Sequence, residues 1–265
     1  MWMDKITSKD GTPLACHRTG VGSPLVLVHG TGGSSARWTP ILPAIEAQFS
    51  IYALDRRGRG GSGDAPNYSL EREFEDVALV VDSIQPPVDL LGRSFGGMCA
   101  LEAALLTSHV RKLILYEPPI PVEGVPIYPA GVIDRLEAML AAGDREGVLS
   151  TFVQEVVRTP PHEFELLRAS PAWPARVAAA HTLPRELRAH ERYRFNAERF
   201  RGLSTPTLLL LGGDSPAFFK AAIEVVSNTL PNSQAVILPG QQHIAIDTAP
   251  DLFVREVMTF LKEPA

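Results

Sequence analysis

Cysteine is scarce in this 265-residue chain, which contains only Cys16 and Cys99. Two cysteines are too few for a disulfide framework or a cysteine-rich zinc site. The sequence also lacks any grouping of His, Cys, Asp and Glu at the spacing typical of metal ligands. We therefore expect no metal and no cofactor, and we interpret Cys99 as a small buried thiol.

Long apolar runs and an excess of basic residues are also missing. No stretch approaches the roughly 20 apolar residues that a membrane-spanning helix needs, and residues 1–6 lack the apolar core of a secretory signal. The formal charge of −5 argues against a nucleic-acid partner. We therefore expect a cytoplasmic protein without membrane or nucleic-acid partners. The one tight basic cluster, Arg56, Arg57 and Arg59, is interpreted as a solvated loop.

What the chain does have is an alternation of strand and helix patterns. Strands are predicted in the pair 2–18, with its turn at 9–12, and over 24–29, 50–55, 88–91, 111–116, 207–211 and 234–238. Helices are predicted over 35–48, 69–84, 97–106, 217–230 and 250–262, with Ser69 as an N-cap. Several strands are continuously apolar, which favours burial on both faces. The pattern predicts an α/β fold with a largely parallel sheet and helices on both faces.

The alternation stops at Glu117-Pro118-Pro119 and resumes near residue 206. Between these points the sequence shows helical periodicity and many prolines, but no strand-like run. We interpret residues 120–202 as a helical cap inserted into one core domain, which is formed by residues 1–119 and 203–265.

Residues 92–96, Gly-Arg-Ser-Phe-Gly, lie where a predicted strand turns into a helix. A serine on such a sharp turn is pushed out of the sheet, and Gly92 and Gly96 allow the strand and helix to pass closely. The free N–H groups of the helix start lie beside it. We therefore predict that Ser94 is the nucleophile of a nucleophile elbow.

Two further candidates follow later strands. Asp214 comes after the strand at 207–211, and His243 comes after the strand at 234–238. Because parallel strands end at the same edge of a sheet, we expect Asp214 and His243 to meet Ser94 there. Glu117 follows a strand directly and is the alternative acid. His29 and Asp55 also follow strands, and we interpret both as residues that order loops.

The motifs His29-Gly30-Thr31-Gly32, Asp55 to Ser62, Gly92 to Gly97, Gly213-Asp214 and Gly240 to His243 together resemble those of the α/β-hydrolase superfamily, in its capped, esterase-like and epoxide-hydrolase-like branch. The resemblance covers about two thirds of the chain. It implies an eight-stranded, mostly parallel sheet with a helical cap. It also implies a catalytic triad of Ser94, Asp214 and His243, with the backbone N–H groups of Thr31 and Phe95 as oxyanion donors. Arg93 stands where many members of the superfamily have His.

A serine nucleophile implies an acyl-enzyme formed from a carbonyl substrate. We expect a carboxylesterase-like serine hydrolase acting on small to medium, largely apolar esters, and this chemistry requires no metal or cofactor. A C–C bond or thioester hydrolase on the same triad is the alternative. A small-ligand receptor without catalytic activity is a further alternative.

Overall fold

A single sheet of eight strands runs through residues 2–263, the part of the chain that this computed structural model describes. The strands are β1 Trp2–Thr7, β2 Pro13–Thr19, β3 Ser23–Val28, β4 Phe49–Asp55, β5 Val88–Arg93, β6 Val110–Tyr116, β7 Thr207–Gly212 and β8 Ser233–Leu238. Their order across the sheet is β1-β2-β4-β3-β5-β6-β7-β8. Strands β3 to β8 are parallel, whereas β2 pairs antiparallel with both β1 and β4. The predicted mostly parallel eight-stranded sheet is confirmed.

The helices in the described part of the chain are α1 Leu42–Ile45, α2 Leu70–Asp82, α3 Phe95–Ala103, α4 Val132–Ala141, α5 Arg145–Thr151, α6 Pro161–Arg168, α7 Trp173–Ala178, α8 Leu183–Glu191, α9 Ala217–Thr229, α10 Ala245–Thr248 and α11 Pro250–Lys262. Helices α2, α3 and α9 pack on one face of the sheet, and α1 and α11 pack on the other. Ser69 caps α2 as predicted, because its hydroxyl accepts from the Arg72 N–H at 3.3 Å. Within residues 2–263 we find no helix with the length and apolar character needed to cross a bilayer.

Both faces of the sheet are buried, and alternate residues of each central strand serve opposite faces. In β3, Val26 and Val28 join the cluster under α2, α3 and α9, while Leu25 and Leu27 join the cluster under α1 and α11. All four side chains are fully buried. Burial of one such side chain contributes about 1.5–3 kcal/mol, which explains why the central strands are continuously apolar.

One predicted helix is broken. The helical pattern over 35–48 forms a 3₁₀ turn, Ser35–Trp38, and the short helix α1. Pro40 and Pro43 lie within this segment. Proline lacks the N–H that a continuing helix requires, so a single helix cannot form there.

The segment between β6 and β7 contains α4 to α8, together with a π-helical turn, Phe152–Val156. These helices bury an apolar cluster of their own, which includes Leu136, Leu149 and Leu183. The same cluster includes Ile244, which belongs to the core and follows His243. The insertion therefore packs against the edge of the core that carries His243. The boundaries at residues 119/120 and 202/203 stay a prediction.

The arginine cluster is not a solvated loop, and that interpretation is wrong. The side chains of Arg56, Arg57 and Arg59 are at most 1% exposed. Each is paired with carboxylates, which come from Asp10, Glu73, Asp76 and Glu186. Glu186 lies on α8 and contacts both Arg56 and Arg59. The insertion thus supplies one of the carboxylates that neutralise buried arginines of the core.

Candidate active site

Ser94 occupies a strained turn between β5 and α3. Its backbone has φ 54° and ψ −129°, a conformation that non-glycine residues rarely adopt and that occurs mainly at functional sites. The turn requires small neighbours, because a Cβ on Gly96 would lie 2.3 Å from the carbonyl oxygen of Val28. The Ser94 N–H donates to the carbonyl of Tyr116 at 2.7 Å and anchors the turn to β6. The predicted nucleophile-elbow geometry is present.

His243 lies in the loop between β8 and α10 and is held on several sides. Arg93 donates to the His243 carbonyl at 2.7 Å. The Tyr116 hydroxyl donates to the carbonyl of Gln242 at 2.5 Å and accepts from the Ala245 N–H at 3.1 Å. The ring of Phe219 stacks on the imidazole at 4.4 Å between centroids. These contacts fix both the loop and the plane of the imidazole.

Glu117 provides the carboxylate beside this imidazole. Its Oε2 lies 2.5 Å from His243 Nδ1, and its Oε1 accepts from the Gly212 N–H at 2.7 Å. Glu117 is fully buried and has φ 48°, so like Ser94 it adopts a positive φ that non-glycine residues rarely show. The short contact fixes the tautomer with a proton on Nδ1, which leaves Nε2 free to accept a proton.

The structure does not bring Asp214 to His243, although the sequence predicted that the two residues would meet. Asp214 lies in an exposed turn after β7, and its carboxylate makes no hydrogen bond with any residue from 2 to 263. Its N–H donates to the carbonyl of Gln241 at 3.0 Å, and the N–H of Gly213 donates to the carbonyl of Leu238 at 2.9 Å. The turn is therefore tied to the end of β8 through its backbone, and the Asp214 side chain stays in solvent.

The imidazole is neutral at physiological pH. The pKa of His243 is lowered from 6.5 to about 4, because burial and the positive charge of Arg93 lower it by more than the Glu117 hydrogen bond raises it. A neutral imidazole that is buried beside a carboxylate has the protonation state of a general base.

Ser94 and His243 line the same cavity, which has a volume of about 30 Å³. Within the described residues the Ser94 hydroxyl makes no hydrogen bond to the imidazole, and such bonds often tighten only when substrate binds. Ser94 also lines a second cavity of about 30 Å³. That second cavity is mostly apolar, with Phe95, Ile127, Phe218 and Phe219 among its lining residues.

The backbone N–H groups of Thr31 and Phe95 have no hydrogen-bond acceptor within residues 2–263. Both residues line the apolar cavity together with Ser94. The Thr31 loop passes close to the serine, since a Cβ on Gly30 would lie 2.8 Å from Ser94 Cβ. The Thr31 hydroxyl donates to the carboxylate of Glu186 on α8. Two unused donors beside the serine are what an oxyanion hole needs.

His29 and Asp55 order the loops around the site, as predicted. The His29 ring bonds to the carbonyl of Gly30 at 2.8 Å through Nδ1, and its Nε2 accepts from the Arg56 N–H at 3.1 Å. Burial lowers the pKa of His29 to about 3, so the ring is neutral and both bonds persist. Asp55 accepts from the N–H groups of Ser35 and Gly61 at 2.6 and 2.8 Å.

Comparison with known proteins identifies relatives along the whole chain. The chain is 28% identical over 262 residues to a pimeloyl-[acyl-carrier protein] methyl ester esterase of Aeromonas hydrophila, covering 94% of this chain and 99% of the relative. It is 35% identical to an alpha/beta hydrolase of Sphaerobacter thermophilus, whose crystal structure superposes with a TM-score of 0.86 over 98% of this chain and 100% of that one. It is 25% identical to the esterase RhEst1 of a Rhodococcus species, with a TM-score of 0.83 and complete coverage of both chains. The model of the alpha/beta hydrolase family matches residues 25–256, so the chain belongs to that family.

Proposed function

We propose that the protein is a serine hydrolase that cleaves carboxylic esters through an acyl-enzyme on Ser94. The observation that carries the proposal is the contact of 2.5 Å between Glu117 Oε2 and His243 Nδ1. This pair lies beside the strained turn of Ser94. His243 and Ser94 line one cavity. This arrangement supports a triad of Ser94, His243 and Glu117, in which Glu117 replaces the Asp214 expected from sequence.

In the first step, Ser94 Oγ attacks the carbonyl carbon while His243 Nε2 takes the hydroxyl proton. Glu117 keeps the imidazole in its productive tautomer and stabilises the imidazolium that forms. His243 then gives its proton to the leaving alkoxide, and the acyl group remains on Ser94. In the second step, water attacks the acyl carbon while His243 takes its proton. The bond between the acyl carbon and Ser94 Oγ then breaks, His243 returns the proton to Ser94, and the free acid leaves.

The negative charge that develops on the carbonyl oxygen requires donors already in position. The N–H groups of Thr31 and Phe95 are suited to this role because neither donates to a residue in the described part of the chain. Loss of one such donor typically costs about 3 kcal/mol of transition-state stabilisation. The glycines of the Thr31 loop let it approach the reacting carbonyl without side-chain obstruction.

The comparisons support an esterase. An ester hydrolase occurs among the relatives that match the full chain, and an esterase among the structures that superpose on it. The small apolar cavity beside Ser94 suits a short acyl or alcohol group. Thioester and activated C–C substrates share the acyl-enzyme step, so a panel containing all three bond types, compared by kcat/KM, tests the ester assignment.

We also propose that residues 120–202 act as the cap of this site. Phe152, Val153, Leu167 and Arg176, all from the insertion, line the cavity that contains Ser94 and His243. Such a cover keeps bulk solvent out of the site and strengthens the electrostatic contacts within it.

The experiment compares Ser94→Ala with the wild type in two assays: turnover of p-nitrophenyl acetate and butyrate, and labelling by a fluorophosphonate probe. We expect the variant to fold, to lose turnover to near background and to resist labelling. Ser204→Ala, which alters an exposed serine outside the site, is the matched control and should retain both activities. Unchanged turnover and labelling in Ser94→Ala would refute the assignment.

A further inference from the structure

Three arginines line the cavity that contains Ser94 and His243: Arg37, Arg93 and Arg176. Arg37 is paired, since its guanidinium donates to both carboxylate oxygens of Asp247. Arg93 and Arg176, unlike Arg37, have no carboxylate partner within residues 2–263.

Neither Arg93 nor Arg176 has a hydrogen bond to a carboxylate within residues 2–263. Arg93 donates to the carbonyl of His243, and its Nε is buried without an acceptor. Arg176 donates through Nε to the carbonyl of Gly32 at 3.2 Å, and its guanidinium lies 5.6 Å from the Trp173 ring centroid. The terminal nitrogens of Arg176 have no acceptor in the same part of the chain. By contrast, the buried Arg56 and Arg59 are both paired with carboxylates.

No acidic group near the cavity makes a hydrogen bond to Arg93 or Arg176 within residues 2–263, although Asp247 attracts both guanidiniums through space and Glu117 attracts Arg93. The Asp247 oxygens are occupied by Arg37, and those of Glu117 by His243 and Gly212. Glu163 is buried and makes no hydrogen bond to either guanidinium, and burial raises the pKa of its carboxyl group. Burial and neighbouring arginines lower the pKa of Arg93 to about 10 and of Arg176 to about 9. Arg93 is buried and Arg176 is half-buried, and neither has a carboxylate partner within residues 2–263, so this side of the cavity is suited to receive an anion.

Arg176 also occupies a junction between two spaces. Arg37, Arg176, Gly33 and Leu167 line both the cavity at Ser94 and an outer cavity of about 390 Å³. A substrate whose carbonyl reaches Ser94 and whose chain extends into the outer cavity passes these guanidiniums. A carboxylate on that chain meets the planar donors of Arg176, a geometry suited to bidentate pairing.

We propose that the substrate is a carbonyl compound bearing a free carboxylate, such as a monoester of a dicarboxylic acid, and that Arg176, supported by Arg93, binds this carboxylate. The proposal rests on the proposed serine hydrolase function and specifies its substrate class. It replaces the expectation of a largely apolar ester. Of the two cavities that meet at Ser94, one is apolar and the other carries the proposed anion site.

The test compares kcat/KM for monomethyl adipate and dimethyl adipate in the wild type, Arg176→Met, Arg176→Lys and Arg168→Met. The ratio between the two esters is the readout, because loss of the Arg176 contact with Gly32 affects both esters alike. We expect the wild type to favour the monoester and Arg176→Met to lower the ratio about 10- to 100-fold. Arg176→Lys, which keeps the charge but not the planar fork, should give an intermediate ratio. Arg168→Met changes an exposed arginine of the same insertion and should match the wild type.

A ratio that is the same in the wild type and in folded Arg176→Met would overturn the proposal. Calorimetric titration of monomethyl adipate into Ser94→Ala tests the anion site without turnover. Binding to Ser94→Ala that is lost in Ser94→Ala/Arg176→Met supports the site, and no binding to Ser94→Ala overturns it. If the wild type hydrolyses neither these esters nor p-nitrophenyl acetate, the serine hydrolase assignment fails, and the titration decides the anion site separately.

Discussion

Glu117 and His243 are joined by a hydrogen bond of 2.5 Å between Oε2 and Nδ1, although 126 residues separate them in sequence. Glu117 follows β6 and His243 follows β8, with β7 between them in the sheet. The N–H of Gly212, at the end of β7, donates to the same carboxylate. Glu117 therefore reaches across the end of β7 to orient the imidazole.

Glu117→Gln should lower kcat about 10³- to 10⁴-fold, because an amide in this position favours the wrong imidazole tautomer. Asp214→Asn should stay within about twofold of the wild type, since the exposed Asp214 carboxylate does not contact His243. The measurement is kcat and kcat/KM on p-nitrophenyl butyrate for both purified variants. A larger loss in Asp214→Asn would contradict the geometry described for Glu117.

The acidic limb of the pH profile should report the lowered pKa of His243. The base must be neutral, so kcat/KM falls as pH drops through the pKa of about 4, instead of through the 6.5 of an ordinary imidazole. Arg93→Met removes a cation that lowers this pKa and should move the limb to higher pH. Initial rates are measured after brief dilution into each buffer, with recovery of activity at pH 7 checked. A wild-type limb near 6.5 would contradict the prediction.

Stability should also fall in mild acid. Burial lowers the pKa values of His29, His190 and His243 to about 3, 4 and 4, against 6.5 for an ordinary His. Between pH 6.5 and 4 the unfolded chain therefore binds more protons at these positions than the folded protein does. The free energy of unfolding decreases as the pH falls through this window. Urea titrations at several pH values give the number of protons taken up on unfolding, from the slope of the free energy of unfolding against pH. This number should be smaller by about one in His190→Gln than in the wild type. Uptake near zero at pH 5 would be inconsistent with three neutral buried imidazoles.

Glu186→Gln should destabilise the protein by about 3–5 kcal/mol, because it leaves the buried cations Arg56 and Arg59 with less negative charge. It should also reduce kcat more than it raises KM. Glu186 accepts a hydrogen bond from the hydroxyl of Thr31, whose backbone N–H is a predicted oxyanion donor. Glu198→Gln removes an exposed ion pair with Arg201 and should change stability by less than about 0.5 kcal/mol. Equal stability of the two variants, measured by urea denaturation, would argue against a structural role for the Glu186 network.

The fold and the elbow could be predicted from sequence because their signals are local. Continuous apolar runs mark β3 and β7, and glycines on both sides of Ser94 mark the turn. The family, the mostly parallel sheet and the hydrolase class are confirmed. The predicted helix over 35–48 is interrupted at Pro40 and Pro43, because the apolar periodicity does not reflect the backbone N–H groups that these prolines lack.

The carboxylate that contacts His243 and the arginine network could not be predicted, because both depend on long-range placement. Glu117 and Asp214 each follow an apolar strand, and the structure distinguishes them by the hydrogen bond between Glu117 and His243 and by the exposed turn at Asp214. Arg56 and Arg59 look like surface residues until Glu186, about 130 positions further on, is brought against them. The positive φ of Glu117 could not be predicted either, because glutamate is not a residue type that favours this conformation.

The hydrogen bonds of Glu186 with Thr31, Arg56 and Arg59 mean that the proposed cap, residues 120–202, is not an interchangeable module. A chimera that received its cap from another hydrolase would lose the carboxylate that two interior cations of the scaffold depend on. The loop that carries Thr31 would also lose its hydrogen bond to the insertion. Grafts intended to alter specificity must therefore carry an acid at position 186, or replace both arginines with uncharged side chains in the same step.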